Sequence, residues 1–290
     1  MITIVTHSGG FHADDVFSIA AFQLLLGKEN IEVTRTRDEE SINAADYVVD
    51  VGGVYDHATK RYDHHQVGAP VRDNGIPYAG FGLMWRHYGE EICGSSEVAR
   101  LIEERLCQPI DAGDNGVGLY DLNEYGVRPF ELYNLVSLFA PAWGEVSSKD
   151  EAFFRAVDWA RSVLSQMIAR EQGNSRLEAV VDAAYQTAKD KSILVFGVSV
   201  PVMSLVQYGD VQVVVAPEDG DNGRFKVNCV RQNYDSFETH VSFPPEWAGL
   251  AGEELSQVAG IPGLVFCHKA RFLCVTDSLD AALAAAKRAT

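Results

Sequence analysis

The chain opens with a short apolar run, Ile2 to Val5. A polar, glycine-containing turn follows, then apolar residues at near-helical spacing from about Ala13 to Leu26. The pattern predicts a strand, a loop and a helix, because recurrence every three to four residues suits one face of a helix. Ile31 to Thr36 and Tyr47 to Val51 predict two more strands. YVVDVGG has the continuous β-branched character of a buried parallel strand that stops at a glycine turn. Helical patterns follow around Gly80 to Tyr88, Glu97 to Gln108, Glu131 to Phe139 and Glu151 to Ala169. Strands alternating with helices predict an α/β layer structure with a largely parallel sheet and flanking helices.

Beyond Gln172, the stretch GNSRLEAV and a helical pattern to about Lys191 read as a connection into a second unit. That unit carries strand-like runs at Ile193 to Phe196, Val211 to Val215, Phe225 to Val230, Leu264 to Cys267 and Phe272 to Val275. It closes with an alanine-rich helix from Ser278 to Ala289. A boundary near residue 185 gives two domains, 1–185 and 186–290, the second a smaller mixed α/β domain.

Composition narrows the function. A 47% hydrophobic content supplies material for packed cores and excludes a mostly disordered chain. Lys+Arg of 24 against Asp+Glu of 41 gives a net charge of −17, which excludes a broad basic surface for long duplex DNA. A local basic pocket, or metal ions, can still cancel charge where an anionic substrate sits. The cysteines are odd in number and form no CxxC, so they read as reduced, buried thiols. The N-terminus has no basic segment before an apolar core, and no stretch is apolar enough to span a bilayer; the expectation is a cytoplasmic, non-membrane protein.

Histidine and aspartate concentrate early. THSGGFHADD places His7 just after the first predicted strand, with His12, Asp14 and Asp15 opening the next helix. Strand ends of such sheets face the crevice where ligands bind. Mixed imidazole and carboxylate donors suit manganese, iron, zinc or cobalt better than calcium. Asp14 and Asp15 alone would be ordinary helix N-terminal acids. Asp50 ends an apolar strand, where burial needs a metal or cationic partner; a turn-forming aspartate is the plainer explanation. RYDHHQ sets Asp63 before His64 and His65, so that one imidazole can bind metal while its neighbour faces substrate and Asp63 orients a ring. In DAGDNG either Asp111 or Asp114 can be the ligand and the other a turn residue; the tight Asn115-Gly116 turn favours Asp114. His57, in a polar turn, and His87, beside Trp85 and Tyr88, have packing explanations. Arg231 and His240 read as surface residues, and Phe153, Phe154, Val157 and Trp159 with Ala160 as a helix core face.

An early histidine, a His-x-Asp, an aspartate ending a strand, Asp-His-His and a later aspartate resemble the DHH phosphoesterase superfamily. More closely, THSGGFHADD, VVDVGGVYDHATKRYDHHQ, DAGDNG, DSFETHVSFPPEWAGL and GEELSQVAGIPGLVFCH resemble, in order, blocks of the melanocyte proliferating gene family. The resemblance covers nearly the whole chain and implies a two-domain phosphoesterase with its site in the cleft. It implies His7, His12, Asp14, Asp50, His64 and Asp114 as ligands of two metals, manganese first, with cobalt, zinc, iron or magnesium as alternatives. His65 would face the substrate or act as acid. His268, with Lys269 and Arg271 after it, would meet phosphate. Two departures stand out. The superfamily's usual first motif has Asp where His12 stands, and KARFLC replaces the small and glycine residues that usually follow His268.

The implied activity is metal-dependent hydrolysis of a phosphodiester, as a 3′-5′ exonuclease or oligonucleotide phosphodiesterase on short RNA or a similar oligonucleotide. A small-molecule phosphohydrolase acting on pyrophosphate, a cyclic dinucleotide or a nucleotide bisphosphate shares the same metal core. A non-catalytic metal-binding protein is the third class, and an open ligand set argues against it. Assembly into oligomers is compatible with all three. Peptide hydrolysis has no support, for the chain lacks HExxH and a nucleophile triad.

Overall fold

The structure, a computed structural model, describes residues 1–220 and 222–289. The chain divides into two compact units, Met1–Gly173 and Asn174–Thr290. In the first, the elements run β1 (Ile2–Thr6), α1 (Ala13–Leu26), β2 (Ile31–Arg35), α2 (Glu39–Ala44), β3 (Tyr47–Val49), β4 (Tyr55–Asp56) and β5 (Arg61–Tyr62). Helices α3 (Gly80–Cys93), α4 (Ser96–Ile102), α5 (Gln108–Asp114), α6 (Leu132–Ser137) and α7 (Lys149–Thr187) follow.

The sheet has the order β2-β1-β3-β5-β4, with β1 parallel to β2 and β3, β3 parallel to β5, and only β4 antiparallel. This order sets the carboxyl ends of β1, β3 and β5 side by side. The residues immediately after them are His7, Asp50 and Asp63–His65. Helix α1 is apolar nearly all round, and Val16, Phe17, Ile19, Ala20 and Phe22 are fully buried against the sheet, α3 and α7. Its rigid N-terminus therefore delivers His12, Asp14 and Asp15 to the same edge.

Two sequence expectations change. The helix predicted over 97–108 continues through a π turn at Glu103–Cys107 into α5. Asp111 and Asp114 are therefore both helical rather than one of them a turn residue; Asn115 caps the helix and Gly116, at φ +70°, makes the turn. The connection read after Gln172 is helical: α7 is one 39-residue helix that runs through Gly173, where the two units divide. A single interior glycine costs only about 1 kcal/mol against alanine, which packing of Val157, Ala160, Leu164 and Ile168 offsets. The boundary expected near residue 185 lies within this same helix.

The second unit contains β6 (Ile193–Val195), β7 (Val213–Pro217), β8 (Phe225–Cys229), α8 (Gly252–Ala259), β9 (Leu264–Cys267), β10 (Leu273–Thr276) and α9 (Leu279–Ala286). Its sheet order is β6-β7-β8-β10-β9, parallel only between β6 and β7. Alternation along β7 sends Val213 and Val215 into a core with α8 and α9, while Val214 and Ala216 join Leu194, Phe196 and Leu205 on the other face. All the cysteines are free and buried, as the reading of reduced thiols anticipates. Among the described residues no helix is long and apolar enough to cross a membrane.

Candidate metal centre

Each site residue is positioned by a strand end or a helix end. Asp50 adopts φ +54°, a left-handed backbone rare outside glycine, between β3 and two glycines of positive φ. Such strain persists only where surrounding structure enforces it; here the Asp50 N–H donates to the Tyr62 carbonyl at 3.1 Å. The result is a carboxylate shared in two directions. Asp50 Oδ2 lies 3.2 Å from His7 Nε2, and Oδ1 lies 3.4 Å from His64 Nε2 and 3.5 Å from His65 Nδ1.

Asp63 shapes the turn after β5. Its Oδ2 accepts the Gly53 N–H at 2.5 Å, and its Oδ1 accepts the N–H of His64 at 2.7 Å. The same Oδ1 accepts from His65 Nδ1 at 2.6 Å, fixing that ring while 62% of its side chain stays exposed. His64 points inward instead, with Nε2 3.1 Å from Asp114 Oδ2. His12, more exposed, brings Nδ1 to 3.7 Å from Asp114 Oδ1.

Asp14 is fully buried and accepts the N–H groups of Gly80 at 3.1 Å and Phe81 at 2.7 Å, so a side chain of α1 caps the start of α3. A Cβ on Gly80 would sit 3.0 Å from Val49 and 3.1 Å from the Tyr62 carbonyl, so glycine permits this close approach. Asp15, absent from the ligand set that the family resemblance implies, accepts the His12 N–H at 2.8 Å and sets Oδ2 3.2 Å from His7 Nε2. The capping role expected of an acid in a first helical turn hid this second contact.

The electrostatics follow from burial opposed by partners. Burial alone would lower the His7 and His64 pKa values, yet the facing carboxylates raise them to about 10 and about 11. Burial alone would raise Asp50, yet His64 and His7 hold it at about 2. Asp14 is pushed well up by burial and by Asp50, Asp114 and Asp111. Asp15 Oδ2, Asp50 Oδ1 and His64 Nε2 are buried and make no hydrogen bond, although each has an oppositely disposed group at ion-pair distance. The donors are thus spaced for a common cationic partner rather than for one another. Three sets can each gather ligand atoms within 4.8 Å: His7, His12 and Asp50; Asp14, His64 and Asp114; and Asp50, Asp63, His64 and His65. These His/Asp clusters fit a divalent transition metal.

Asp111 and Asp114, three residues apart on α5, have different fates. Asp111 is buried, 2.6 Å from Arg72 Nη2, and accepts the Gly82 N–H at 3.1 Å. Arg72 also pairs with Glu103 at 2.6 Å, donates to the Pro77 carbonyl and lies over the Tyr78 ring. The structure therefore brings Asp114 to the cluster and commits Asp111 to a separate ion-pair network. His57 and His87 stack at 3.7 Å and bond Tyr62 and Tyr55 hydroxyls, which keeps them away from the clusters, as their packing explanation anticipates.

His268, Lys269 and Arg271 occupy the turn between β9 and β10 of the second unit. The His268 N–H donates to the Leu273 carbonyl at 2.9 Å, and Arg271, at φ +60°, donates through Nη1 to the Phe243 carbonyl at 3.0 Å. Lys269 is exposed.

A family model described as "Uncharacterised protein family (UPF0160)" matches residues 3–290. The chain belongs to this family, the melanocyte proliferating gene or MYG1 family. Similarity to other MYG1 proteins extends over nearly the whole chain. A Homo sapiens protein named "MYG1 exonuclease" is 29% identical, covering 98% of this chain and 84% of its own length. A Dictyostelium discoideum "MYG1 protein" is 30% identical over 97% and 94%. One from Schizosaccharomyces pombe is 26% identical over 100% and 97%. No solved structure matches.

Proposed function

We propose that this MYG1-family chain is a divalent-metal-dependent phosphodiesterase that removes nucleotides from the 3′ end of short oligonucleotides. The observation that carries the reading is the convergence of His7, Asp50, His64 and Asp114, with buried donor atoms that make no hydrogen bond, at the carboxyl ends of parallel strands. The exonuclease name of the human relative supports the choice of substrate class.

In this reading His7, His12, Asp14, Asp50, His64 and Asp114 hold two metals, manganese first, and Asp50, with one oxygen toward His7 and the other toward His64, joins the two halves. Bound divalent metals supply an acidified water and neutralise phosphate charge. The Ser8 carbonyl, 3.2 Å from His7 Nδ1, orients His7 so that Nε2 faces Asp15 and Asp50, and Asp63 orients His65. With Nδ1 fixed and its ring exposed, His65 offers Nε2 to the substrate, where it gives a proton to the leaving oxygen. His268 and Lys269 of the second unit, with the remaining donors of Arg271, are phosphate contacts. The net charge of −17 restricts the grip to short substrates, so activity loses little with added salt.

The test presents the full chain with manganese, cobalt, zinc or magnesium to short RNA, short DNA, pyrophosphate and a generic phosphodiester, with chelator and His64→Ala controls. Metal-dependent shortening of oligonucleotides from the 3′ end is expected. Turnover of pyrophosphate alone would move the assignment to a small-molecule phosphohydrolase. No metal-dependent turnover of any phosphoester would overturn the enzyme reading, and full activity in His64→Ala would overturn the ligand assignment.

A further inference from the structure

Two cavities of the first unit share a wall. One, about 370 Å³, lies over the cluster and is lined by His7, Asp50, His64 and His65 together with Arg37 and Asn115. The other, about 240 Å³, meets it at His12 and Asp114 and is otherwise lined by Phe11, Ile110 and Tyr133, with Asp14 and Ser137 as its further polar groups. The two differ in chemistry as the two ends of a nucleotide differ. The first offers donors and a cation. The second offers an apolar floor and an aromatic ring.

Arg37 is the one Lys or Arg side chain lining either cavity, and among the described residues it has no ion pair or hydrogen bond. Its neighbour Arg35 shows what a structural arginine does here. Its side chain is 1% exposed, paired with Asp150 at 2.6 Å, bonded to the Gly9 carbonyl and laid over the Phe153 ring. Arg37 has no such engagement, and its charge stands beside a strongly acidic cluster, where an anion bridging cation and metals is the favourable occupant.

In the second cavity Phe11 and Ile110 are buried, and Phe11 is held edge-on against Phe153 with ring centroids 5.8 Å apart. The floor is therefore fixed in advance. Tyr133 stands over it from α6, a short helix anchored by the buried Val136 and by the Asn134 side chain, which accepts the Glu131 N–H at 3.0 Å. Tyr133 lines this cavity, is 54% exposed, and its hydroxyl makes no hydrogen bond among the described residues. Aromatic faces that stand exposed beside a phosphate-handling site stack nucleobases without reading sequence.

We propose that the first unit holds the terminal nucleotide across both cavities. The base lies between the Phe11–Ile110 floor and the Tyr133 ring, and the phosphate lies on the far side of His12 and Asp114, met by Arg37 and Asn115. This rests on the phosphoesterase reading and assigns it a nucleobase pocket and a phosphate-binding arginine. The side chains of Phe11 and Ile110 carry no hydrogen-bonding group, so the stack itself does not distinguish purines from pyrimidines.

The test uses the full chain loaded with manganese. Calorimetry compares adenosine 5′-monophosphate with ribose 5-phosphate, and turnover compares a ribotrinucleotide ending in adenosine with one ending in an abasic ribose. The base is expected to improve binding and kcat/KM by roughly tenfold, the scale of one base stack. Tyr133→Ala removes this preference chiefly through KM, Tyr133→Phe keeps it, and Arg37→Gln weakens both small ligands by the same factor. Equal binding of the two ligands by the wild type, failure of either to bind, or an unchanged preference in Tyr133→Ala would overturn the proposal. Cleavage that ignores the terminal base would overturn the pocket and leave the phosphoesterase reading standing. Base-dependent binding without cleavage of either trinucleotide would do the reverse.

Discussion

Asp111 and Asp114 occupy one helix, three residues apart, and show two ways a protein handles an inward-facing carboxylate. Around Asp111 every charge has a partner: Arg72 reaches Asp111 and Glu103, the Pro77 carbonyl takes a third donor, and the Gly82 N–H completes the carboxylate. Around Asp114 the imidazoles of His12 and His64 stand at ion-pair distance, while His64 Nε2, Asp50 Oδ1 and Asp15 Oδ2 make no hydrogen bond. The first network leaves only Glu103 Oε2 unbonded and ties α3, α5 and the Arg72 loop together. The second sets imidazole nitrogens and carboxylate oxygens within 4.8 Å of one another in sets that fit a cation. Buried unbonded polar atoms cost stability, and three of them, all metal-ligating in type, stand within one cluster of facing imidazoles and carboxylates.

Substitutions should separate the two. Asp50→Asn keeps a residue tolerant of the left-handed backbone, and His64→Ala removes a donor; each is expected to lower metal-dependent activity by more than the roughly 10–100-fold typical of outer-shell partners. Calorimetric metal affinity should fall with the activity; unchanged affinity in either variant would place the metal elsewhere. Arg72→Met is the converse. It strands Asp111 and Glu103, and urea unfolding should show a loss of about 3–5 kcal/mol, with metal affinity unchanged while the chain stays folded. Gly82→Ala strikes the same network, since a Cβ there would lie 1.8 Å from Asp111 Oδ2.

Asp63→Asn falls between these. The fold should persist, but the Asp63 carboxylate that fixes His64 and His65 is lost, so activity should drop about 10–100-fold. Intact activity would show that His65 needs no such support. Metal uptake offers a further contrast. His7 and His64 carry protons up to about pH 10 and about pH 11 in the metal-free cluster. Calorimetry in buffers of different ionisation enthalpy should therefore report proton release on binding, with affinity rising with pH. Uptake without proton release would place the metal elsewhere.

The smallest effect concerns the histidines that found partners. Burial, His57 and Arg86 lower His87 to about 4. The unfolded chain then binds a proton that the folded chain refuses between about pH 6.5 and 4. The stability from neutral His87 is complete above pH 6.5 and is lost as pH falls through 4. His87→Gln should flatten that part of the melting-temperature profile slightly; an unchanged slope would exclude the stacked pair as its source.

Much of this was legible in the chain itself. Strand and helix patterns gave the α/β class, since short β-branched runs and near-helical spacing each bury one way only. THSGGFHADD, VVDVGG and RYDHHQ identified the site because imidazoles and carboxylates are costly to bring together without a cation. What sequence spacing left open was which of Asp111 and Asp114 joins them. That needed the position of Arg72, 39 residues from Asp111 in sequence and 2.6 Å from it in space. Asp15, read as a helix N-terminal acid, stayed outside the ligand set, and Arg37 went unremarked, for the same reason. A first-turn acid and an arginine before a helix have ordinary local explanations, and only the parallel order of β1, β3 and β5 turns them toward one edge. Residue chemistry is written locally, so the sequence by itself determined that a His/Asp centre would exist. Register and helix phase are settled by long-range packing, so only the tertiary structure decided which side chains face it and which cavity lies beside it.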